Sequence, residues 1–137
     1  MAYDTFTRAN GPLGSSEATG PDAQATTAQA WANRIGTTLV AANTASASAL
    51  VGGEALAAVD TGTADVLCDA ELTRAAGNVG IVVRYQDATN YVIGYHTGVN
   101  ARLDKIVAGV TTNVISVAAV YGAGRVLRVV CEGTTFL

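Results

Sequence analysis

The stretch from Gly80 to His96 constrains the fold most, because it predicts two β-strands joined by a short polar turn. Apolar and polar residues alternate along both arms, and successive side chains of a strand point to opposite faces. Residues 86–90 between the arms contain Asp and Asn, which bond their own backbone and favour turns. One register would align three apolar pairs on a single face, namely Tyr85 with Tyr91, Val83 with Ile93, and Ile81 with Tyr95.

Further strand-like segments follow this pattern and are separated by turns centred on glycine. They cover residues 64–73, 102–107, 114–121 and 125–131. Two of them have clear apolar faces: Val66, Cys68, Ala70 and Leu72 in one, and Leu127, Val129 and Cys131 in the other. Residues 41–49 are also expected to be extended, since they show neither a helical apolar stripe nor a cap. Short strands at this spacing predict an all-β, antiparallel sandwich.

Length and composition limit the class of protein. A chain of 137 residues suits one domain spanning residues 1–137, and 50% hydrophobic against 14% charged residues argues against disorder throughout. A formal net charge of -3 provides no basic field for nucleic acid. The sequence shows no apolar run of membrane-spanning length and no signal-peptide pattern at its start, so we expect neither a membrane segment nor classical export. Cys68 and Cys131 are expected to be buried free thiols.

Three segments carry a resemblance to a known family. They are residues 4–14 (DTFTRANGPLG), residues 80–91 (GIVVRYQDATNY), and residues 102–105 (RLDK) followed by residues 125–130 (RVLRVV). Together they resemble the concanavalin A-like lectin/glucanase family, in the laminin-G-like form common in bacteriophage and secreted bacterial proteins. The resemblance implies a β-sandwich of jelly-roll type.

The resemblance also implies an open strand edge. Family members continue past a turn like residues 133–135 to a final strand that pairs beside the first one, whereas this sequence stops at Leu137. Either the chain is a fragment that lacks the final strands, or a neighbouring chain covers the edge that they leave open. The residues expected at this assembly edge are Tyr3, Phe6 and Phe136.

Acidic residues raise the question of glycan hydrolysis, because retaining glycosidases use two neighbouring carboxyl groups. Asp65, Asp69 and Glu71 share one face of a predicted strand. The glucanase pattern E-x-D-x-x-E is nevertheless absent, since Leu67 and Thr73 occupy two of its positions. We therefore expect a solvated strand face and no enzyme activity, and we expect Arg84 to pair with Asp69 or Glu71.

Loop and turn residues are candidates for binding two kinds of ligand, calcium and a glycan. Asp87 and Asn90 in the hairpin turn, and Asp22 and Asp60 in other loops, could offer oxygens to calcium. No ligand spacing singles them out, so a turn-forming role and no cofactor are expected. For a glycan, the candidate contacts are Tyr121, Asp87 and Asn90, while the tyrosines of the hairpin row are expected to pack in the core. His96 lacks partners at triad or zinc spacing.

The sequence and its resemblance favour a non-enzymatic structural or adhesive module of a virion. A phage capsid-decoration, fibre or tail-associated protein made in the host cytoplasm would fit, assembling through β-edge contacts as a homo-oligomer or with other virion proteins. The alternatives are a carbohydrate-binding domain that recognises a surface glycan and, third, a glycan hydrolase.

Overall fold

The computed structural model describes residues 1–23 and 25–137, with the side chain of Asp22 outside the description. The prediction that Asp22 could bind calcium therefore lies outside the described residues. The chain forms two compact units, Met1–Gly62 and Thr63–Leu137. The single domain expected over residues 1–137 stays a prediction. All sheets are antiparallel, and the described residues contain no α-helix.

The described residues of the first unit form five short strands. They are β1 (Gly11–Pro12), β2 (Ala32–Ile35), β3 (Thr37–Ala41), β4 (Thr44–Ala49) and β5 (Leu56–Ala58). One sheet has the order β1-β3-β4, and β2 pairs with β5. Between β3 and β4, Ala42 and Asn43 both have positive φ (50° and 58°), as the two-residue turn that suits strand twist requires. The prediction of extended structure in this Ala- and Ser-rich stretch is confirmed.

The opening motif of the chain folds around Asp4, whose side chain is only 3% exposed. Its carboxylate accepts hydrogen bonds from Trp31 Nε1 and Arg8 Nη2, each at 2.6 Å, and from the backbone N–H of Phe6 at 2.8 Å. The rings of Phe6 and Trp31 lie 5.4 Å apart. The residues D-x-F-x-R thus form a local cluster with the single tryptophan.

The second unit contains seven strands in two sheets. They are β6 (Val66–Glu71), β7 (Val79–Asp87), β8 (Asn90–His96), β9 (Asn100–Val107), β10 (Val110–Ala118), β11 (Val126–Glu132) and β12 (Thr135–Phe136). The four-stranded sheet has the order β10-β9-β8-β7, and the three-stranded sheet has the order β12-β11-β6. The apolar faces of the two sheets meet in a core formed by Val83, Val92, Leu103, Val129 and Cys131.

The apolar faces predicted for β6 and β11 are confirmed. On β6, Val66, Cys68 and Ala70 point inward between exposed neighbours, and on β11 Val129 and Cys131 are almost fully buried. Both cysteines are free, and burial raises the pKa of both thiols. Regular strands keep the period of two, so alternation identifies their inner faces.

The predicted register of the hairpin is wrong. Val82 lies opposite Ile93, and Val83 lies opposite Val92, one residue away from the expected pairing. The cause is a bulge in which residues 84–86 oppose Tyr91 alone, with Arg84 at a φ of 51°. A one-residue slip moves side chains to the other face, so the inner residues of β7 do not share a face with the tyrosines of β8.

Candidate functional site: an exposed strand edge

Strand β10 is the outermost strand of the four-stranded sheet. It pairs with β9 on one side, and no strand of the described residues pairs with its other side. Eight of its nine residues are exposed, and Ile115 alone is half-buried against the core. Its outer backbone N–H and C=O groups are therefore available to another extended chain.

Local sequence explains why this strand forms. Val110–Ala118 is rich in Val, Thr and Ile, which favour extended structure. The turn before it, Ala108 and Gly109, has positive φ at both residues (50° and 77°), which matches a tight hairpin. A bulge interrupts the pairing with β9 between Asn113 and Ile115. The Asn113 side chain stabilises it by donating to the Ile115 carbonyl at 2.9 Å and to Asp104 Oδ1 at 2.6 Å.

The surface of this strand is apolar and uncharged. No charged residue and no proline occurs between Lys105 and Arg125. Large exposed apolar side chains run along it: Val110 (67% exposed), Val114 (50%), Val117 (57%) and Val120 (86%). Proteins usually protect an exposed sheet edge with lysine, proline or a covering segment. We call the outer side of residues 110–120 the β10 edge.

The direction of the edge hydrogen-bonding groups follows from two hydrogen bonds just beyond the ladder, where residues 119 and 121 follow β10 and residues 98 and 99 precede β9. The N–H of Ala119 donates to the Val99 carbonyl at 2.9 Å, and the N–H of Tyr121 donates to the Gly98 carbonyl at 3.0 Å. Because backbone groups of successive strand residues point to alternate sides, the intervening residues direct their N–H and C=O groups away from β9. These residues are Ser116 and Ala118 at the end of β10, and Val120 just after it.

A shallow cavity of about 270 Å³ opens beside the end of β10, with Val120, Tyr121 and Arg125 at its rim and His96 in its wall. The N–H of Gly98 donates to His96 Nδ1 at 2.8 Å, so a neutral His96 carries its proton on Nε2. The Tyr121 hydroxyl donates to the Leu72 carbonyl at 2.9 Å and accepts from the backbone N–H of Arg74 at 3.0 Å. Tyr121 is thus a structural hydrogen-bonding group whose hydroxyl is already in use.

The three predicted glycan contacts do not come together. Tyr121 lies beside His96, with ring centroids 5.6 Å apart, at one end of β8. Asp87 and Asn90 form the turn at the other end, roughly 20 Å away by the rise of an extended chain. Hydrogen bonds from the Thr89 hydroxyl and backbone, and from Asn90 Nδ2, lower the pKa of Asp87.

The residues predicted for an assembly edge occupy both units. Tyr3 forms a backbone bridge with Glu17, and Phe6 packs on Trp31. Phe136, on β12, packs against the core of the second unit, with the Arg84 guanidinium 5.0 Å from its ring centroid. Their role in assembly stays a prediction.

Two of the three acidic residues, Asp69 on β6 and Asp65 just before it, form ion pairs with arginines. Asp69 accepts two hydrogen bonds from Arg128, at 2.7 and 2.6 Å, and this contact lowers the pKa of Asp69. Arg84 Nη2 lies 2.9 Å from Asp65 Oδ1, and Arg84 Nε donates to the Ala64 carbonyl at 3.0 Å. The predicted pairing of Arg84 with Asp69 or Glu71 is wrong, because Arg84 lies on the bulge beside Asp65 and Arg128 lies opposite Asp69.

The described residues also bear on a metal site and on a membrane segment. Within them, no three His, Cys, Asp or Glu side chains are grouped as metal ligands would be. Of the predicted calcium contacts, Asp60 Oδ1 accepts from the Gly62 N–H at 2.8 Å, as in a turn. Outside the undescribed position, the chain has no helix of the length and apolarity that crossing a membrane requires.

Sequence reasoning identified a strand over residues 114–121 but missed that it lies at a sheet edge. The signal was the uncharged stretch between Lys105 and Arg125, which is rich in Val and Thr. Such a segment is typical either of a buried strand or of a strand that meets a partner.

A comparison of the chain with protein-family models, with curated proteins and with solved structures found no match.

Proposed function

We propose that this chain is a non-enzymatic structural or adhesive module that assembles through β-edge contacts, as a component of a virion such as a capsid-decoration, fibre or tail-associated protein. Its fold would be a concanavalin A-like β-sandwich of jelly-roll type. The resemblance of residues 4–14 and 80–91 to that family supports the fold and the virion setting.

The observation that carries the proposal is the β10 edge. An unpaired strand lined by Val110, Val114 and Val117 leaves both apolar surface and backbone hydrogen-bonding groups in water. Covering this strand would satisfy both, since a partner strand forms the missing hydrogen bonds and buries the valines. An assembly module needs such a surface on every copy.

The ion pairs of the acidic residues favour a non-enzymatic role. A glycosidase needs one carboxyl group with a raised pKa and a second that is free to attack or to activate water. Here Asp69 is held by Arg128, which lowers its pKa, and Asp65 is held by Arg84. Both carboxylates serve as partners of arginines.

Light scattering on sized fractions of the purified chain tests the proposal. The wild type should form an oligomer at micromolar concentration, and Val117→Lys should shift it toward the monomer by at least tenfold in dissociation constant. Leu67→Lys is the matched control, because Leu67 is an equally exposed aliphatic residue (59% against 57%) on the edge of the other sheet. A wild type that is monomeric at all concentrations would refute the proposal.

A carbohydrate-binding function is the second candidate, and the cavity beside Tyr121 favours it. The cavity combines aliphatic walls with Arg125, whose guanidinium makes no hydrogen bond or ion pair among the described residues. Binding on a glycan array that Arg125→Ala abolishes would support it. Arg125 is a better probe than Tyr121, because truncating Tyr121 also breaks the hydrogen bonds to residues 72 and 74.

A further inference from the structure

We infer that β10 pairs antiparallel with β10 of a second copy of this chain, around a two-fold axis at Ala118. The inference rests on the proposed assembly function and names its partner. It would join two four-stranded sheets into one continuous sheet of eight strands. The same patch would serve both copies, as a closed two-fold dimer requires.

Backbone geometry selects the register. Ser116, Ala118 and Val120 direct their N–H and C=O groups outward, because the N–H groups of residues 119 and 121 point inward to the β9 side. An antiparallel partner exchanges hydrogen bonds only between residues that face it. Placing Ala118 opposite Ala118 sets Ser116 opposite Val120 on both sides of the axis. All outward groups of this segment are then paired.

Side chains fit the same register. The residues nearest the axis are small, so two strands can approach to ladder distance without a clash. Val117 of one copy lies opposite Ala119 of the other in the closer, non-hydrogen-bonded type of pair. That contact would cover a valine that is 57% exposed in the single chain.

Charge also favours a second copy as the occupant. The β10 edge has no charged side chain, so it offers no ion pair to a charged peptide and meets no repulsion from itself. A partner of matching chemistry is a neutral strand rich in Val, Thr and Ala. The β10 strand of another copy has that composition.

The bulge at Val114 limits the length of the pairing. The ladder of β10 shifts between Asn113 and Ile115, so the outward groups before the bulge do not continue the regular spacing of those after it. Pairing is thereby confined to residues 115–121. Because the two-fold pairing uses the β10 edge of both copies, it closes as a dimer.

Disulfide trapping tests the register. In the proposed dimer the two Ala118 residues form a hydrogen-bonded pair with Cα atoms about 5.5 Å apart, within disulfide range. Ala118→Cys should therefore yield a covalent dimer, doubling the mass on non-reducing gels after mild oxidation at micromolar concentration. Ser116→Cys is the matched control. In the proposed register the two residues at position 116 would be about 13 Å apart along the strand. Ser116→Cys should therefore give at most a tenth of the covalent dimer that Ala118→Cys gives.

Both variants retain Cys68 and Cys131, so any cross-linking through those thiols occurs equally in both and does not change the comparison between them. Equal trapping at 116 and 118, or none at 118, would overturn the register. If the wild type is oligomeric and Ala118→Cys is not trapped, β10 self-pairing fails while the assembly function stands. If the wild type is monomeric and no trapping occurs, both proposals fail.

Proline substitution provides a second readout that does not depend on oxidation. Ala118→Pro removes an N–H that β9 does not use, so the ladder within one chain is retained while the pairing between chains is lost. Thr111→Pro is its control, since Thr111 also faces outward but lies outside residues 115–121. We expect the dissociation constant of the dimer to be at least tenfold higher for Ala118→Pro than for Thr111→Pro. Equal dissociation would overturn the inference.

Discussion

Gly94 of β8 faces Val129 of β11 so closely that a β-carbon on Gly94 would lie 2.5 Å from Val129 Cγ2. Val129 is 1% exposed and belongs to the core between the two sheets of the second unit. The absence of a side chain at position 94 gives Val129 its space. The contact joins the two sheets of the second unit, because β8 and β11 belong to different sheets.

The contact predicts that Gly94→Ala destabilises the fold. The added methyl group overlaps a buried and stiff valine, and overpacking of this kind costs about 1–3 kcal/mol. Urea unfolding should show the loss. The double variant Gly94→Ala/Val129→Ala should lose less than the sum of the two single variants, because removing the valine methyls makes room for the alanine. Strict additivity would contradict the contact.

A second prediction concerns the buried carboxylate of Asp104. Asp104 is 4% exposed and accepts hydrogen bonds from the Tyr95 hydroxyl at 2.7 Å and from Asn113 Nδ2 at 2.6 Å. Tyr95→Phe removes one donor from this charge, and hydrogen bonds to charged groups contribute about 1.5–3 kcal/mol. The free energy of unfolding should fall by that amount.

The control for this change is Tyr3→Phe. The Tyr3 hydroxyl makes no hydrogen bond to any described part of the chain, so its loss should leave the unfolding free energy within about 0.5 kcal/mol of the wild type. Equal effects of the two variants would mean that the Tyr95–Asp104 hydrogen bond contributes nothing measurable.

The hydrogen bond between Tyr95 and Asp104 also predicts that the free energy of unfolding falls at alkaline pH. Burial, and then the hydrogen bond and charge of Asp104, raise the pKa of Tyr95 above its ordinary value of 10.0. The folded state therefore holds the phenol proton more tightly than the unfolded state does. The stability from this group is complete below pH 10 and is lost as the pH rises through the folded pKa. The stability gap between wild type and Tyr95→Phe should narrow above pH 10 and stay constant from pH 7 to 9.

Regular strands were predictable from the sequence. Alternation identifies the buried faces of β6 and β11, because each strand keeps its period of two and one face lies on a core. Tyr91 and Tyr95 of β8 are buried, at 7% and 9% exposed, but they lie on the face of their sheet opposite to Val92 and the core. Local patterns suffice where the backbone is regular.

Features that depend on strand order were not predictable. The bulge around Arg84 shifts the hairpin register, and no local pattern marks a bulge in a run of apolar residues. The position of β10 at a sheet edge, and the pairing of Arg84 with Asp65 instead of Asp69 or Glu71, follow from which strands become neighbours. That order is decided by contacts far apart in sequence.

The hydrogen bonds around Asp87 in the hairpin turn lead to a prediction about its pKa. Hydrogen bonds from the Thr89 hydroxyl and N–H, and from the Asn90 amide, hold the pKa of Asp87 below its ordinary value of 3.8. Thr89→Val removes the hydroxyl donor, so the pKa measured from the Asp87 carboxyl carbon by NMR should rise toward 3.8. Thr134→Val, in the exposed turn before β12, should leave it unchanged. Because the folded pKa is lowered, the stability from this group is present above pH 3.8 and is lost as the pH falls through the folded value.

The positive φ at Arg84 predicts that a glycine variant is more stable than an alanine variant there, which reverses their usual order of stability in a strand. In an ordinary strand position glycine is less stable than alanine by roughly 0.5–1 kcal/mol. At Arg84, however, φ is 51°, where a β-carbon costs about 1–2 kcal/mol. Both Arg84→Ala and Arg84→Gly lose the contacts with Asp65 and Phe136, so their difference isolates the backbone. Urea unfolding should show Arg84→Gly to be more stable than Arg84→Ala by about 1 kcal/mol.

At Val82, a regular position of the same strand, the alanine variant should be the more stable one. If alanine were also favoured at position 84, residues 84–86 would not form the bulge that sets the hairpin register.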